Sequence, residues 1–147
     1  YNLVKRQAEV EILPMAEANG IGVVPYSPAG AGLLSGKYSG QASGRLKTNK
    51  MYEARYGEPW MFEGAEKFVA CCKKSGLHPV STAIAWVGAH PAITAPIIGA
   101  RNLEQLQDSL NAVKVDMTPA LRAEISALSR TPPPATDRLE EIKPPKS

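Results

Sequence analysis

Hydrophobic periodicity divides the chain into helical and extended stretches. Tyr1 to Arg6 reads as the end of a strand plus a turn. Helical spacing follows in AEVEILPMAEANG, with Asn19-Gly20 as a stop signal. Pro14 lies inside this stretch, so the helix either starts near it or bends there. Ile21-Gly22-Val23-Val24 is a short apolar run without polar alternation. That is the pattern of a strand buried on both faces in a parallel sheet. A helix is predicted from about Phe62 to Lys74, and another from Pro79, a good first-turn residue. The second helix places Val80, Ala83, Ile84 and Val87 on one face. Ala95-Pro96-Ile97-Ile98 reads as a second buried strand. Asn102 then caps a helix with the stripe Leu103, Leu106, Leu110 and Val113, and Thr118-Pro119 opens a last helix to about Leu128.

Residues 27–60 form a Gly-rich, basic excursion, and a loop of this length in a compact domain is usually functional or disordered. Residues 131–147, with Pro132-Pro133-Pro134 and Pro144-Pro145, read as an extended tail. The domain is therefore expected over residues 1–130. The order of strand end, helix, strand, loop, helices, strand and helix is an α/β alternation, which implies parallel strands with crossover helices. A complete (β/α)8 barrel needs about 250 residues. A chain of 147 residues suits about half of one.

Composition narrows the functional classes. The chain is 44% hydrophobic and 21% charged, like an ordinary soluble protein, and has no apolar run of membrane-spanning length. Its net charge of +3 comes from scattered basic residues, which argues against nucleic acid as a partner. Cys71 and Cys72 are adjacent, a poor arrangement for a disulfide, and no second Cys or His pair follows at zinc-ligand spacing. Two reduced thiols on a helix fit a reducing, cytoplasmic setting, and no metal site is expected. The chain begins with Tyr1 rather than Met, so a fragment or processed product is expected.

Two strand-to-loop junctions carry the candidate chemistry. In the first, Tyr26-Ser27-Pro28-Ala29-Gly30-Ala31-Gly32-Leu33-Leu34-Ser35-Gly36-Lys37-Tyr38, glycines allow close backbone approach to a ligand. Ser27, Ser35 and Lys37 add donors suited to phosphate. A plain flexible loop would look much the same, and neither the Rossmann nor the P-loop spacing is present. In the second, Ile98-Gly99-Ala100-Arg101-Asn102, a strand runs into a helix N-terminus, a natural anion site with Arg101 upon it. The same residues also fit a capping box in which Gln105 reaches back to Asn102. Together the junctions match the barrel arrangement in which a phosphate site is built from the loops after strands 7 and 8.

The segments YNLVKRQAEVEILPMAEANGIGVVPYSP, GLLSGKY and IIGARNLEQLQDSL resemble, in order and spacing, the C-terminal half of aldo-keto reductases. These are NADPH-dependent (β/α)8 barrels that reduce aldehydes and ketones. The YSP…SGKY loop is also similar to that of the β subunits of voltage-gated potassium channels. The resemblance implies that Tyr26 stacks on the nicotinamide, and that Ser27, Pro28, Ala29, Gly30 and Ala31 wrap the pyrophosphate. It implies that Lys37 and Arg45 belong to a loop folding over the cofactor. Gly99, Arg101, Gln105 and Asp108 would form the pocket for the 2′-phosphate and adenine. Arg101 can fork onto a phosphate, and Asp108 can accept from the adenine amino group. Ala29 stands where the family usually has Leu, and Ser109 where it usually has Asn.

The family's catalytic Asp, Tyr, Lys and His lie on the first half of the barrel. No catalytic residue is therefore assigned here, and the chain is expected to be inactive alone. His78 and His90, at the two ends of one predicted helix, are read as capping or surface residues. Two alternatives stand beside the NADPH-binding part of a carbonyl reductase. One is a non-catalytic nucleotide-binding or interaction module. The other is a truncated chain with no independent function, whose open edges favour self-association or pairing with an N-terminal half-barrel.

Overall fold

The computed structural model describes residues 1–38 and 49–135. Arg45, residues 39–48 generally, and the tail from residue 136 lie outside the described residues.

Six α-helices are seen among the described residues: α1 (Ile12–Ala18), α2 (Lys50–Tyr56), α3 (Pro59–Lys74), α4 (Pro79–Gly88), α5 (Leu103–Leu110) and α6 (Pro119–Ser126). Their starts follow local chemistry. Pro14 is the third residue of α1, where a backbone N–H has no intrahelical acceptor, so the helix begins just ahead of it. Gly20, with φ of +63°, ends the turn that follows α1. Side-chain oxygens of Asn49, Asn102 and Thr118 accept from Met51, Gln105 and Leu121 N–H groups at the heads of α2, α5 and α6. Pro59, Pro79 and Pro119 occupy first-turn positions. Two boundaries differ from the sequence reading. The stretch from residue 27 to 60 contains a helix, α2, and α3 starts at Pro59 rather than near Phe62. The Asn49 cap and the proline account for both.

Helix α3 supplies one wall of the core. Met61, Ala65, Phe68, Val69 and Cys72 form its buried face. They pack with Leu3, Val4, Leu13, Leu33, Leu34, Ile125 and the α4 residues Ala83, Trp86 and Val87. Gly64 permits close approach, because a Cβ there would stand 3.4 Å from the Leu128 carbonyl oxygen. Trp86 is fully buried, and its indole N–H donates to Ser126 Oγ at 3.0 Å. The Tyr1 ring stacks on it with centroids 5.3 Å apart, and the Arg122 guanidinium lies 5.0 Å from its ring centre. Glu9 ties this cluster together, accepting from the Tyr1 hydroxyl and pairing with Arg6 at 2.8 Å. Burial pushes the Glu9 carboxyl up, but the hydrogen bonds from Arg6 and Tyr1 and the Arg6 charge outweigh it and hold the group below its usual range.

Among the described residues the expected parallel strands are reduced to one parallel bridge, Val23 with Ile93. Thr94 N–H donates to Val23 O at 2.9 Å and Ile97 N–H to Pro25 O at 2.8 Å. Between these bonds one segment advances two residues and the other three, so the ladder bulges at Ala95-Pro96. Neither Pro25 nor Pro96 has an N–H to return a bond. Burial on both faces is also not observed: Ile21, Val24 and Ile97 are each about half exposed. Extended segments are sealed on both faces only by neighbours on each side, and one short pair does not supply them.

Candidate functional site

A groove of about 490 Å³ opens beside the parallel pair. The turn from Tyr26 to Lys37 forms one side. Val80 and Ile84 of α4 form an apolar floor, and Ile97, Ile98 and Gly99 lead across to α5 on the other side. Helix α4 thus works on two faces: Ala83, Trp86 and Val87 enter the core, while Val80 and Ile84 line the groove.

The turn is held in an unusual backbone path. Ser27 and Ala31 take positive φ of 56°, and Gly30 and Gly32 have φ of 59° and 89°. For Ser and Ala this conformation carries strain, so surrounding contacts must hold it. Asn2 is one of these. Only 1% exposed, it donates from Nδ2 to Ser27 O at 2.9 Å and to the Tyr56 hydroxyl at 3.2 Å, while its Oδ1 accepts from Val4 N–H at 3.1 Å. Burial raises the Tyr56 hydroxyl above its usual value, against hydrogen bonds to Asn2 and Ser27. Gly30 lies buried beneath the wall, and its N–H closes the turn onto Ser27 O at 3.0 Å.

Lys37 folds back across this wall. A Cβ on Gly32 would stand 2.8 Å from Lys37 Cε and Nζ, so the lysine occupies space that only glycine leaves open. Its ammonium lies 4.9 Å from the Tyr38 ring centre. Ser35 Oγ donates to Gly32 O at 2.7 Å, which pins the end of the turn.

On the far side, Asn102 Oδ1 accepts from Gln105 N–H at 2.9 Å, as the capping reading expects. The reciprocal bond is displaced by one residue: Gln105 Oε1 accepts from Arg101 N–H at 3.2 Å, not from Asn102. The Arg101 side chain is exposed on the groove and makes no ion pair among the described residues. Two cations, Lys37 and Arg101, therefore face one groove from segments far apart in sequence, with Asp108 further along on α5.

Of the residues singled out in the sequence, Tyr26, Ser27, Pro28, Ala29, Ala31, Lys37, Gly99, Arg101, Gln105 and Asp108 line this groove. Gly30 lies under it, and Arg45 falls outside the described residues. Sequence reasoning missed Asn2 and Tyr56, the braces behind Ser27, and Gly32, the seat of Lys37. It also set His78 aside as a cap or surface residue. His78 makes no side-chain capping bond; its half-exposed ring lines the groove beside Asp108. His90 does act locally, its Nδ1 accepting from Ala92 N–H at 3.2 Å. Cys71 and Cys72 are free thiols on α3, and burial pushes Cys72 up to about 11. No helix among the described residues is long and apolar enough to cross a membrane, and none of them cluster as a metal-binding group.

Residues 1–130 match the Aldo/keto reductase family, and the chain belongs to it. The family fold is the (β/α)8 barrel. Among its relatives, the chain is 42% identical over 117 residues to "Uncharacterized oxidoreductase YrpG" of Bacillus subtilis (strain 168), covering 80% of this chain and 35% of the relative. It is 33% identical over 125 residues to "Oxidoreductase sirO" of Leptosphaeria maculans, covering 78% of this chain and 38% of the relative. "Protein tas" of Escherichia coli (strain K12) is 26% identical over 130 residues, 87% of this chain and 38% of the relative. The chain thus spans little more than a third of the length of these relatives.

Proposed function

We propose that this chain is the NADP(H)-binding, C-terminal half-barrel of an aldo-keto reductase that reduces aldehydes or ketones by hydride transfer. One observation carries the reading. The strained turn at Ser27 and the helix end at Arg101 form two sides of a single groove, with a cation on each side and an apolar floor. A dinucleotide carrying a pyrophosphate and a 2′-phosphate presents two separated anionic centres that match this layout. Lys37 and the turn from Ser27 to Ala31 hold the pyrophosphate, and Tyr26 offers its exposed ring to the nicotinamide. Arg101 holds the 2′-phosphate by bidentate contact, and Gln105 and Asp108 take the adenosine end.

In this reading the residues here bind and orient the cofactor, while proton transfer to the carbonyl oxygen falls to the family's Asp, Tyr, Lys and His. Those have no matching positions in this chain, so it is inactive by itself. Its exposed apolar residues at Ile21, Val24 and Ile97 and along α5 are where a complementary N-terminal half-barrel packs. The setting is cytoplasmic.

Fluorescence titration with NADPH, and with NADH in parallel, tests the reading. Saturable binding that prefers NADPH by roughly tenfold, the size expected of one charge-assisted phosphate contact, supports it. Equal affinity for both, or no binding to either, contradicts it. Carbonyl reduction by the pure chain that is lost in Tyr26→Ala would overturn the claim that the chain is inactive alone.

A further inference from the structure

Within the adenosine end of the groove, His78 stands in an arrangement that its place at the head of α4 does not explain. Its Nε2 lies 3.8 Å from Asp108 Oδ2, too far for a direct hydrogen bond. Its Nδ1 lies 3.4 Å from Ser81 Oγ. Ser81 is 2% exposed, and its hydroxyl proton is committed to the Asp108 carbonyl oxygen at 2.6 Å. Toward His78 that oxygen therefore presents a lone pair, and the imidazole carries its hydrogen on Nδ1. In the neutral ring Nε2 is then an acceptor. It shares the groove wall with a carboxylate oxygen, also an acceptor.

We propose that His78 Nε2 and the Asp108 carboxylate form a two-acceptor site for an exocyclic amino group, and that His78 is a binding residue for the purine 6-amino group. This rests on the cofactor reading above. An amino nitrogen about 2.9–3.0 Å from each of two acceptors spaced as these are donates one hydrogen to each. A 6-oxo group has no hydrogen to donate and places a third acceptor against the pair. Site chemistry built to receive a donor rejects the analogue that lacks it. Ser81 sets the arrangement by fixing both the ring tautomer and the backbone that carries Asp108.

The test uses the chain with adenosine 2′,5′-bisphosphate and its inosine counterpart, which occupy only the adenosine end. Affinities are measured by calorimetry, and the His78 ring resonances are followed by NMR. The expected result is at least about a fivefold preference for the amino compound, from one or two net hydrogen bonds. The His78 signals should shift with that compound and much less with the other. His78→Ala should bring the preference to about twofold, and His78→Gln, which keeps a side-chain acceptor, should retain most of it. A preference unchanged in His78→Ala overturns the proposal while leaving the cofactor reading intact. Equal binding of both compounds by the unmodified chain does the same. Binding of neither compound sinks the cofactor reading and the proposal with it.

Discussion

Helices α3 and α5 both carry an apolar residue every three or four positions, and their environments differ. In α3 the face from Met61 to Cys72 is closed against α4 and the turn at Leu33-Leu34. In α5 and the short turn after it, Leu103, Leu106, Leu110 and Val113 are 82%, 37%, 49% and 88% exposed. The two stripes look alike in sequence because periodicity records that a face is destined for cover. It does not record what supplies the cover. For α3 the partners are in this chain. For α5 the described residues place only Ser109 in the interior, and the apolar side stands open.

Substitutions on the two faces sharpen the contrast. Phe68→Ala, which empties a fully buried site, should cost about 3–5 kcal/mol, read as a lowered urea midpoint at unchanged slope. Asn2→Ala removes the buried brace behind Ser27 and leaves the Val4 N–H without its acceptor. It should cost about 1–3 kcal/mol and weaken cofactor binding as the turn relaxes. Asn102→Ala deletes the α5 cap and should cost about 1 kcal/mol. Leu103→Gln, on the open stripe, should change stability by less than about 0.5 kcal/mol and raise solubility. A Leu103→Gln loss comparable to that of Phe68→Ala would mean that α5 is covered in solution, and the comparison would fail.

Acid should destabilise the fold in two stages. Burial holds His90 below the ordinary imidazole value of 6.5, so the unfolded chain binds its proton first. The stability His90 contributes is complete above that value and is lost as pH falls through the lower folded value. Glu9 is likewise held below the ordinary carboxyl value of 4.5, so its contribution is present above that value and lost as pH falls further. Urea midpoints measured from pH 8 to pH 3 should fall in both windows, and the lower step should shrink in Glu9→Gln.

Much of the helical framework was legible because its signals are local. Pro79, Asn102 and Thr118 act on their own turns, so those helix starts came out close to their observed places. The Val80–Val87 periodicity found α4, but could not divide its residues between core and groove. The extended segments were misjudged for a non-local reason: an apolar run such as Ile21–Val24 is sealed only when strands lie on both sides. Most groove residues were recognised through resemblance at Tyr26–Lys37 and Ile98–Asp108. Asn2 and Tyr56 were missed because their contacts join distant segments, and Gly32 because its role appears only once Lys37 folds back over it. A positive φ or an occupied Cβ position leaves no mark in a single sequence beyond the presence of glycine.

The central claim is that one groove grips two separate anionic centres, Lys37 at the pyrophosphate and Arg101 at the 2′-phosphate. Equilibrium titration of Lys37→Ala and Arg101→Ala with NADPH and NADH tests it most directly. The account predicts that Lys37→Ala weakens both cofactors by a similar factor, about tenfold, whereas Arg101→Ala weakens NADPH alone and erases the preference. Arg101→Ala reducing both affinities equally, or Lys37→Ala leaving both unchanged, would contradict the two-ended groove.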